Sequence, residues 1–249
     1  ETSMNVVSAS RAEAQSSGNS TPILVWDAPV RVFHWLMVLS FAGAYITAES
    51  ERWRLLHVTL GYTMAGLVVF RLLWGLLGTR HARFASFVRG PAAAMRYVRS
   101  LLRGQPDTHT GHNPAGALAI VALLALGATV TLTGWLHYGE LAGEWAEDGH
   151  ELAGSLMLVV VLAHVAGVVV GSWVHRENLV RAMVTGYKRG RPQDAIRSAW
   201  RSMAALMLVA VLGLWVWQWQ AAPTGGMPAG GAPSLERHGA GHDDDQDDD

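Results

Sequence analysis

The chain has 249 residues, of which half are hydrophobic and only 16% are charged, and it contains eleven tryptophans. This composition indicates a membrane protein and excludes an ordinary soluble globular domain. The absence of cysteine excludes disulfides, iron–sulfur clusters and thioether attachment of a cofactor, and the net charge of −1 is uninformative because the charges are segregated along the chain.

Five apolar segments are predicted to span the membrane as helices. Residues 1–22 precede them; they lack the apolar core of a signal peptide and are predicted to form a disordered N-terminal tail. The five segments lie at about 32–48, 57–77, 115–136, 151–174 and 199–219. Asn113 and Pro114 favour a helix start just before the third segment. The chain is therefore predicted to be an all-α integral membrane protein with a four-helix transmembrane bundle and a fifth C-terminal helix.

The segments also divide the chain into predicted domains. The four-helix transmembrane domain is expected over residues 23–190, and the additional transmembrane helix over 199–220. The final stretch, 221–249, is rich in Pro, Gly and Asp, and it is predicted to be a disordered acidic tail.

Loop charges predict the orientation of the helices. Lysine and arginine concentrate between segments two and three and after segment four, at Arg80, Arg83, Arg89, Arg96, Arg99, Arg103, Arg176, Arg181, Lys188, Arg189, Arg191 and Arg197. The loop between segments three and four carries only acidic charges, at Glu140, Glu144, Glu147 and Asp148. Because basic loops stay in the cytoplasm, the N-terminus is predicted to be cytoplasmic and the C-terminal tail periplasmic, in a multi-pass protein of a bacterial inner membrane.

Four histidines lie within these segments or at their ends: His34, His57, His150 and His164. A histidine inside a bilayer is a functional hypothesis by default. His150 and His164 are fourteen residues apart on one segment, so they would lie roughly 21 Å apart on nearly the same helix face. The predicted topology places His34 and His164 in the inner half of the membrane and His57 and His150 at its outer face. Two such pairs indicate two six-coordinate haem irons, and without cysteine the haems must be b-type and non-covalently bound.

Each of these histidines also has a simpler interpretation. His57 and His150 could be interfacial residues at helix ends, and the deeper His34 and His164 could be hydrogen-bonded core residues. His137, at the outer end of segment three, is the rival of His150 for the outer iron. The histidines in or near the cytoplasmic loops are predicted to be solvated or interfacial, and they are His81, His109, His112 and His175.

Arg71 is the one arginine inside segment two. It follows His57 by fourteen residues and therefore lies toward the inner side of the membrane. A haem propionate would neutralise it there, so Arg71 is a candidate cofactor-binding residue. The alternative is a side chain that snorkels to the inner interface.

Several stretches of the sequence carry a family likeness: VWDAPVRVFHW, LHVTLGY, FRLLWGLLGTRHARFASFVRGP, GHNPAGALAIVALL and GHELAGSLMLVVVLAHVAGVVVGSWVHRENLVRAMVTGYKRG. Over about residues 24–190 the chain resembles the prokaryotic cytochrome b561 family, which includes the cytochrome b subunits of nickel–iron hydrogenases. The resemblance implies a four-helix core with two haems b, whose ligands come from helices one, two and four at positions that match His34, His57, His150 and His164. Segment five and the acidic tail extend beyond this core.

The predicted activity is one-electron transfer across the membrane. A protein of this kind would take electrons from a quinol, a reductase or a hydrogenase and pass them from haem to haem. Two imidazoles on each iron leave no open position for oxygen, which favours an electron carrier over an oxidase. The expected partners are quinone, membrane lipid and a redox protein such as a hydrogenase or a c-type cytochrome. The acidic outer loop would attract a basic soluble partner such as a c-type cytochrome. No nucleic-acid partner is expected.

Other functions stay open at this point. The chain could be a subunit of a quinol:acceptor oxidoreductase. It could also be a transporter whose intramembrane histidines carry metal ions or protons, although continuous segments without an internal repeat are not typical of transporters. A third interpretation is a membrane anchor for a larger complex, which would tolerate loss of the histidines.

Overall fold

A computed structural model describes residues 21–103 and 110–221, without the side chain of Leu102. These residues form seven α-helices, two short strands and three short 3₁₀ helices. The α-helices and strands are β1 (Thr21–Leu24), α1 (Ala28–Thr47), α2 (Arg54–Leu77), α3 (Pro91–Leu102), α4 (Pro114–Tyr138), α5 (Glu144–Val174), α6 (Leu179–Thr185), β2 (Tyr187–Gly190) and α7 (Arg201–Ala221). Five of them, α1, α2, α4, α5 and α7, are long and apolar enough to cross a membrane, so the predicted all-α membrane fold is confirmed.

Capping residues and proline determine where α1 and α4 begin. Asp27 accepts a hydrogen bond from the backbone N–H of Val30 over 2.8 Å, and Asn113 accepts one from that of Gly116 over 2.7 Å. Pro114 is the first residue of α4, where its missing N–H removes no helical hydrogen bond. Each cap contributes about 1 kcal/mol, and the helix start predicted at Asn113 and Pro114 is confirmed.

Several helices begin or end outside the predicted apolar segments. The largest difference is at α5, which begins at Glu144 instead of about residue 151. Its first turn contains Glu144 and Glu147, and acidic side chains stabilise the positive end of a helix dipole although they interrupt the apolar pattern. His150 therefore lies in the second turn of α5 rather than at its start.

The long helices run alternately between two ends of the molecule. We call the end that carries residues 78–103, 110–113 and 175–200 the basic end, and the opposite end, with residues 48–53 and 139–143, the acidic end. α1 packs against α2, and α4 packs against α5, while contacts between α2 and α4 join the two pairs. This arrangement brings the first turn of α2 and the second turn of α5 close together at the acidic end.

A layer of apolar side chains fills the middle of the bundle. Phe41 of α1, Met64 of α2 and Met157 of α5 are buried in one cluster. The partly buried residues packed around them are Met37, Leu123, Leu126, Leu158 and Val161. Each of the three buried residues lies seven positions from a predicted haem ligand on its own helix, so this central apolar layer separates the two depths at which the histidines lie.

The fifth long helix, α7, packs against α1 and α2. Its buried residues are Ala204, Met207 and Val211. Nε1 of Trp215 donates a hydrogen bond to Oγ1 of Thr63 on α2 over 2.9 Å, which attaches α7 to the bundle at a polar point within the apolar segments. The helix lies close to the predicted 199–220, and the rest of the predicted acidic tail, from residue 222 onward, lies outside the described residues.

A two-stranded antiparallel sheet closes the basic end. β1 pairs with β2 in a register that sets Thr21 opposite Gly190. The predicted tail over 1–22 is therefore wrong for its last two residues, which begin β1, and residues 1–20 lie outside the described part of the chain. Strands of four residues that are separated by about 160 residues give no local pattern from which they could be predicted.

Gly186 connects this sheet to the start of α1. It has a φ of +89°, and its carbonyl accepts hydrogen bonds from the backbone N–H groups of Val25 and Trp26 over 2.9 and 3.0 Å. A Cβ at this position would lie 2.7 Å from the carbonyl oxygen of Trp26 and would strain the left-handed backbone. Only glycine therefore fits where the end of α6 meets the segment that precedes α1.

α3 is a short amphipathic helix at the basic end, packed against α4. Its buried residues are Ala93, Ala94 and Tyr97. The exposed side carries Arg96 and Arg99, as is typical of a helix at a membrane interface. The hydroxyl oxygen of Tyr97 lies 3.0 Å from Nε2 of His175 at the end of α5. His109 lies outside the described residues.

Candidate functional site

The structure brings His57 of α2 and His150 of α5 together at the acidic end. Their ring centroids are 6.0 Å apart, and the two ring planes are inclined by 75°. Both side chains are partly buried. These are the two histidines that the sequence assigns to the outer face of the membrane.

Both rings are held through Nδ1. Nδ1 of His57 lies 2.9 Å from the carbonyl oxygen of Ala44 on α1, and Nδ1 of His150 lies 2.9 Å from that of Val130 on α4. A carbonyl oxygen can only accept, so Nδ1 donates in each ring, and in the neutral imidazole Nε2 then keeps its lone pair. A hydrogen bond of this kind orients most metal-ligating histidines.

Gly134 leaves the space that the ring of His150 occupies beside α4. A Cβ at position 134 would lie 2.8 Å from both Cε1 and Nδ1 of His150. No real side chain tolerates such contacts without displacement of the ring, because protein interiors are closely packed. The place of the imidazole beside α4 therefore depends on the absence of a side chain at this position.

His137, the rival of His150, is the last residue but one of α4. Its side chain is 51% exposed, and its Nδ1 lies 4.0 Å from the carboxylate of Glu147. The ring that packs against His57 is that of His150. His137 contacts an acidic residue at the surface instead.

His34 of α1 and His164 of α5 lie in the half of the bundle nearer the basic end. The ring of His34 packs edge-on against that of Trp35, with the centroids 5.1 Å apart, and its Nδ1 is buried without a hydrogen-bond partner among the described residues. Buried polar groups in folded proteins are almost always paired, and Nδ1 of His34 is an exception among the described residues.

Arg71 is also buried, and only 3% of the residue is exposed. Its guanidinium carbon lies 4.8 Å from the centre of the Phe84 ring, and its Nη1 is buried without a partner in the described part of the chain. The structure does not support the snorkelling alternative, because a snorkelling side chain extends its charged head to the surface. A buried guanidinium group requires a polar or anionic acceptor.

Two histidines that the sequence predicts to be solvated or interfacial are packed inside the basic end. Nε2 of His81, which is 9% exposed, donates to the carbonyl oxygen of Asp194 over 2.8 Å. The ring of His112 lies between those of Trp26 and Phe87, with centroid distances of 4.5 and 4.4 Å. Burial, and then the neighbouring positive groups, lower the pKa of His112 to about 3, so its ring is neutral at physiological pH.

Comparison with known proteins identifies the family. The sequence profile of the prokaryotic cytochrome b561 family matches residues 25–186, which include His34, His57, His150 and His164. The chain belongs to this family. Such a b-type cytochrome holds its haem without covalent bonds, in agreement with the absence of cysteine.

The curated relatives of this cytochrome share one kind of name. A protein of Rhodobacter capsulatus named "Probable Ni/Fe-hydrogenase B-type cytochrome subunit" is 27% identical over 165 residues, which are 55% of this chain and 62% of the relative. A protein of the same name from Cupriavidus necator is 30% identical over 165 residues, 54% of this chain and 67% of the relative. The "Probable Ni/Fe-hydrogenase 1 B-type cytochrome subunit" of Escherichia coli K12 is 26% identical over 152 residues, 51% of this chain and 64% of the relative.

These matches have a limited extent. The chain covers less than two thirds of the length of the Rhodobacter capsulatus and Escherichia coli relatives. No solved structure matches the chain. The family range, 25–186, contains α1 to α6 and ends before α7, so the cytochrome consists of a family core with four spanning helices and one further helix outside the matched range.

Proposed function

We propose that this cytochrome carries electrons across a bacterial inner membrane through two haems b. The observation that carries the proposal is the pair of His57 and His150, whose rings lie 6.0 Å apart with Nδ1 of each bound to a backbone carbonyl. Family membership supplies the class of cofactor, and it favours electron transfer over the transporter alternative. Histidine pairs at two depths of one bundle support two haems rather than one.

The pair at the acidic end fits one iron. Bonds between a metal and an imidazole nitrogen are about 2 Å long, so two imidazoles on opposite sides of one metal ion have ring centroids about 6 Å apart. The observed separation is 6.0 Å. The carbonyls of Ala44 and Val130 hold the rings in the tautomer that leaves Nε2 free for a metal. We therefore assign His57 and His150 as the ligands here, in preference to His137.

We expect Gly134→Ala to weaken haem binding at the acidic end by about tenfold or more. The added methyl group occupies the space of the His150 ring, and overpacking of this kind costs about 1–3 kcal/mol. Alanine is the better helix former, so α4 should stay folded. Gly66→Ala is the matched control, because Gly66 of α2 is exposed and a Cβ there meets nothing within 4 Å. Haem titration of both variants measures the effect, and equal affinities would contradict the proposed position of His150.

In the half nearer the basic end, His34 and His164 are the proposed ligands. His164 follows His150 by fourteen residues on α5, which separates the two depths by roughly 21 Å. The residues here fit a haem because its iron would take an imidazole nitrogen of His34 and its carboxylates would accept from a buried guanidinium group. Arg71 would bind a propionate through its buried Nη1.

The bound haems would supply the one-electron chemistry of this protein. His57 with His150 and His34 with His164 would hold the two haems, and with two imidazoles committed to each iron the chain would offer no position for oxygen or a substrate. The central apolar layer of Phe41, Met64 and Met157 lies between the two depths. It excludes water and lowers the local dielectric constant, which are two of the means by which a protein adjusts a redox potential.

We propose that the basic end faces the cytoplasm. Its loops carry most of the arginines, whereas the acidic end exposes Glu140, Glu144 and Glu147 and has only Arg52 and Arg54 as basic residues. By the positive-inside rule, the N-terminus would then be cytoplasmic, and the C-terminal tail would follow α7 on the periplasmic side. His57 and His150 would lie near the periplasmic face and His34 and His164 nearer the cytoplasmic one.

The names of the relatives suggest the redox partner. Because they are called cytochrome subunits of nickel–iron hydrogenases, we propose a hydrogenase as the partner protein and the quinone pool as the other end of the electron path. A basic c-type cytochrome is the second candidate. The exposed acidic residues Glu140, Glu144 and Glu147 favour it, because opposite charge accelerates association.

Reduction of the haems by defined donors tests this function. The purified chain in phospholipid vesicles would be mixed with a short-chain quinol, or with a nickel–iron hydrogenase under hydrogen, and its absorption spectrum recorded. We expect a b-type α-band to appear with each donor. A double variant, His57→Ala with His164→Ala, is the control and should show no band. A wild-type chain that purifies without any b-type α-band would contradict the proposal.

A further inference from the structure

Several buried nitrogen atoms have no hydrogen-bond partner among residues 21–103 and 110–221: Nε of Arg31, Nδ1 of His34, Nη1 of Arg71 and Nδ1 of His112. Two of these atoms belong to guanidinium groups, which stay protonated and can only donate. Buried donors in folded proteins are almost always paired. Arg31 and Arg71 therefore each require an acceptor that the described residues do not provide.

Arg31 lies beside a proposed haem ligand. It precedes His34 by three residues on α1, so the two side chains share a helix face about 4.5 Å apart along the axis, with Arg31 nearer the basic end. Nη1 of Arg31 donates a hydrogen bond to the carbonyl oxygen of Val184 over 2.7 Å. Val184 belongs to α6, the helix that follows α5. Arg31 thus links α1 to the α5 side of the bundle, just beyond the depth of His34 and His164.

Arg71 reaches the same region from α2. Three residues further along α2, Trp74 contacts Asp27, which lies four residues before Arg31 at the start of α1. That carboxylate already accepts hydrogen bonds from a backbone N–H, from Nε1 of Trp74 and from Oγ1 of Thr79. It forms no hydrogen bond with Nη1 of Arg71, which stays unpaired. Two guanidinium groups, from α1 and α2, therefore bring unpaired donors to the basic end of the bundle.

We propose that Arg31 and Arg71 bind the two propionate carboxylates of the haem held by His34 and His164. The inference rests on the proposed function. It adds a role for Arg31 and an orientation of the haem, in which the carboxylates would lie toward the basic end. Haem b has two carboxylates, and the two guanidinium groups offer one charged donor group to each. Charge-assisted bonds between these groups are strong, and they would neutralise the charge of Arg71, which is costly to bury near a membrane interior.

Haem and haem dimethyl ester distinguish recognition of the carboxylates from binding of the ring. The ester keeps the iron and the ring but has no anionic carboxylate. The full wild-type chain, produced without haem and placed in phospholipid vesicles, would be titrated with each compound, and the b-type α-band recorded after reduction. We expect the ester to fill the site of His34 and His164 at least about tenfold more weakly than haem. Equal affinities of haem and ester at both sites would overturn the proposal.

Two variants assign the carboxylate contacts to residues. Arg31→Gln and Arg71→Gln should each reduce the preference for haem over the ester, and the double variant should abolish it. Arg83→Gln is the matched control, because Arg83 is an exposed arginine of the same end, and it should keep the wild-type preference. Filling of the site of His57 and His150 reports that a variant is folded. An Arg31→Gln variant with the wild-type preference would overturn the role of Arg31, whereas a wild-type chain that takes up no haem would contradict the proposed function itself.

Discussion

His164→Ala is expected to lower the haem content of the purified cytochrome from about two haems per chain to about one. The variant leaves the site in the basic half with His34 as its only imidazole. The haem affinity of this site should fall by at least about 100-fold. Loss of a group that only hydrogen-bonds to a metal ligand already lowers metal affinity by about 10–100-fold, and here the ligand itself is removed. The site at the acidic end should stay filled, because His57 and His150 lie beyond the central apolar layer. A pyridine haemochrome assay on quantified protein measures the ratio.

Val165→Ala is the matched control for this experiment. Val165 is the next residue of α5, and its side chain is 51% exposed, so its truncation removes surface area without touching the site. This variant should keep both haems. Two haems and an unchanged spectrum in His164→Ala would refute the proposed pairing of His34 with His164.

His150→Ala is expected to remove the haem at the acidic end, whereas His137→Ala is expected to leave both haems in place. His150 packs against His57 with Nδ1 fixed by a carbonyl, while His137 is half exposed beside Glu147. Loss of an exposed histidine should also change the stability by no more than about 0.5 kcal/mol. Haem content and the reduced-minus-oxidised spectrum of the two variants provide the comparison.

The reverse result has a clear meaning. Haem loss in His137→Ala alone would make His137 the ligand at the acidic end. The contact between His57 and His150 would then be a packing contact, and the hydrogen bonds to Ala44 and Val130 would serve only to hold α2 and α5 in place. Loss of haem in both variants would show that the two histidines depend on each other, which the structure does not lead us to expect.

The spanning helices are predictable because a bilayer requires about twenty apolar residues in each of them. The helix ends are less predictable. Asp27 and Glu144 lie at the ends of α1 and α5, where polar residues continue the helix as caps or as partners of its dipole. Hydropathy does not detect such turns, and for this reason His150 is deeper within its helix than its segment predicts.

The pairing of histidines by depth follows from spacing and topology, but the groups that orient them do not. Every residue has a carbonyl, so the role of Ala44 and Val130 arises only when α1 packs against α2 and α4 against α5. Gly134 gives a weak signal in the sequence. A glycine in a spanning helix indicates that a neighbouring group approaches the backbone closely, but it does not show which group that is. The partner of that approach, the ring of His150, is known only from the structure.

The basic end is the least predictable part of the molecule. His81 and His112 lie in a stretch rich in arginine that reads as a loop, and their burial results from contacts with distant residues such as Asp194 and Trp26. Arg31 does have a signal that the sequence reasoning missed. A charged residue three positions before an intramembrane histidine shares its helix face, and this spacing alone could have nominated it as a partner for the same bound group.

The central claim is that one chain holds two haems b, each between two histidines. The most direct test combines a pyridine haemochrome assay with electron paramagnetic resonance of the oxidised, purified full chain. We expect about two haems per chain and only low-spin ferric signals, because two imidazoles saturate each iron. One haem per chain, or a high-spin signal from an iron with an open axial position, would contradict the claim.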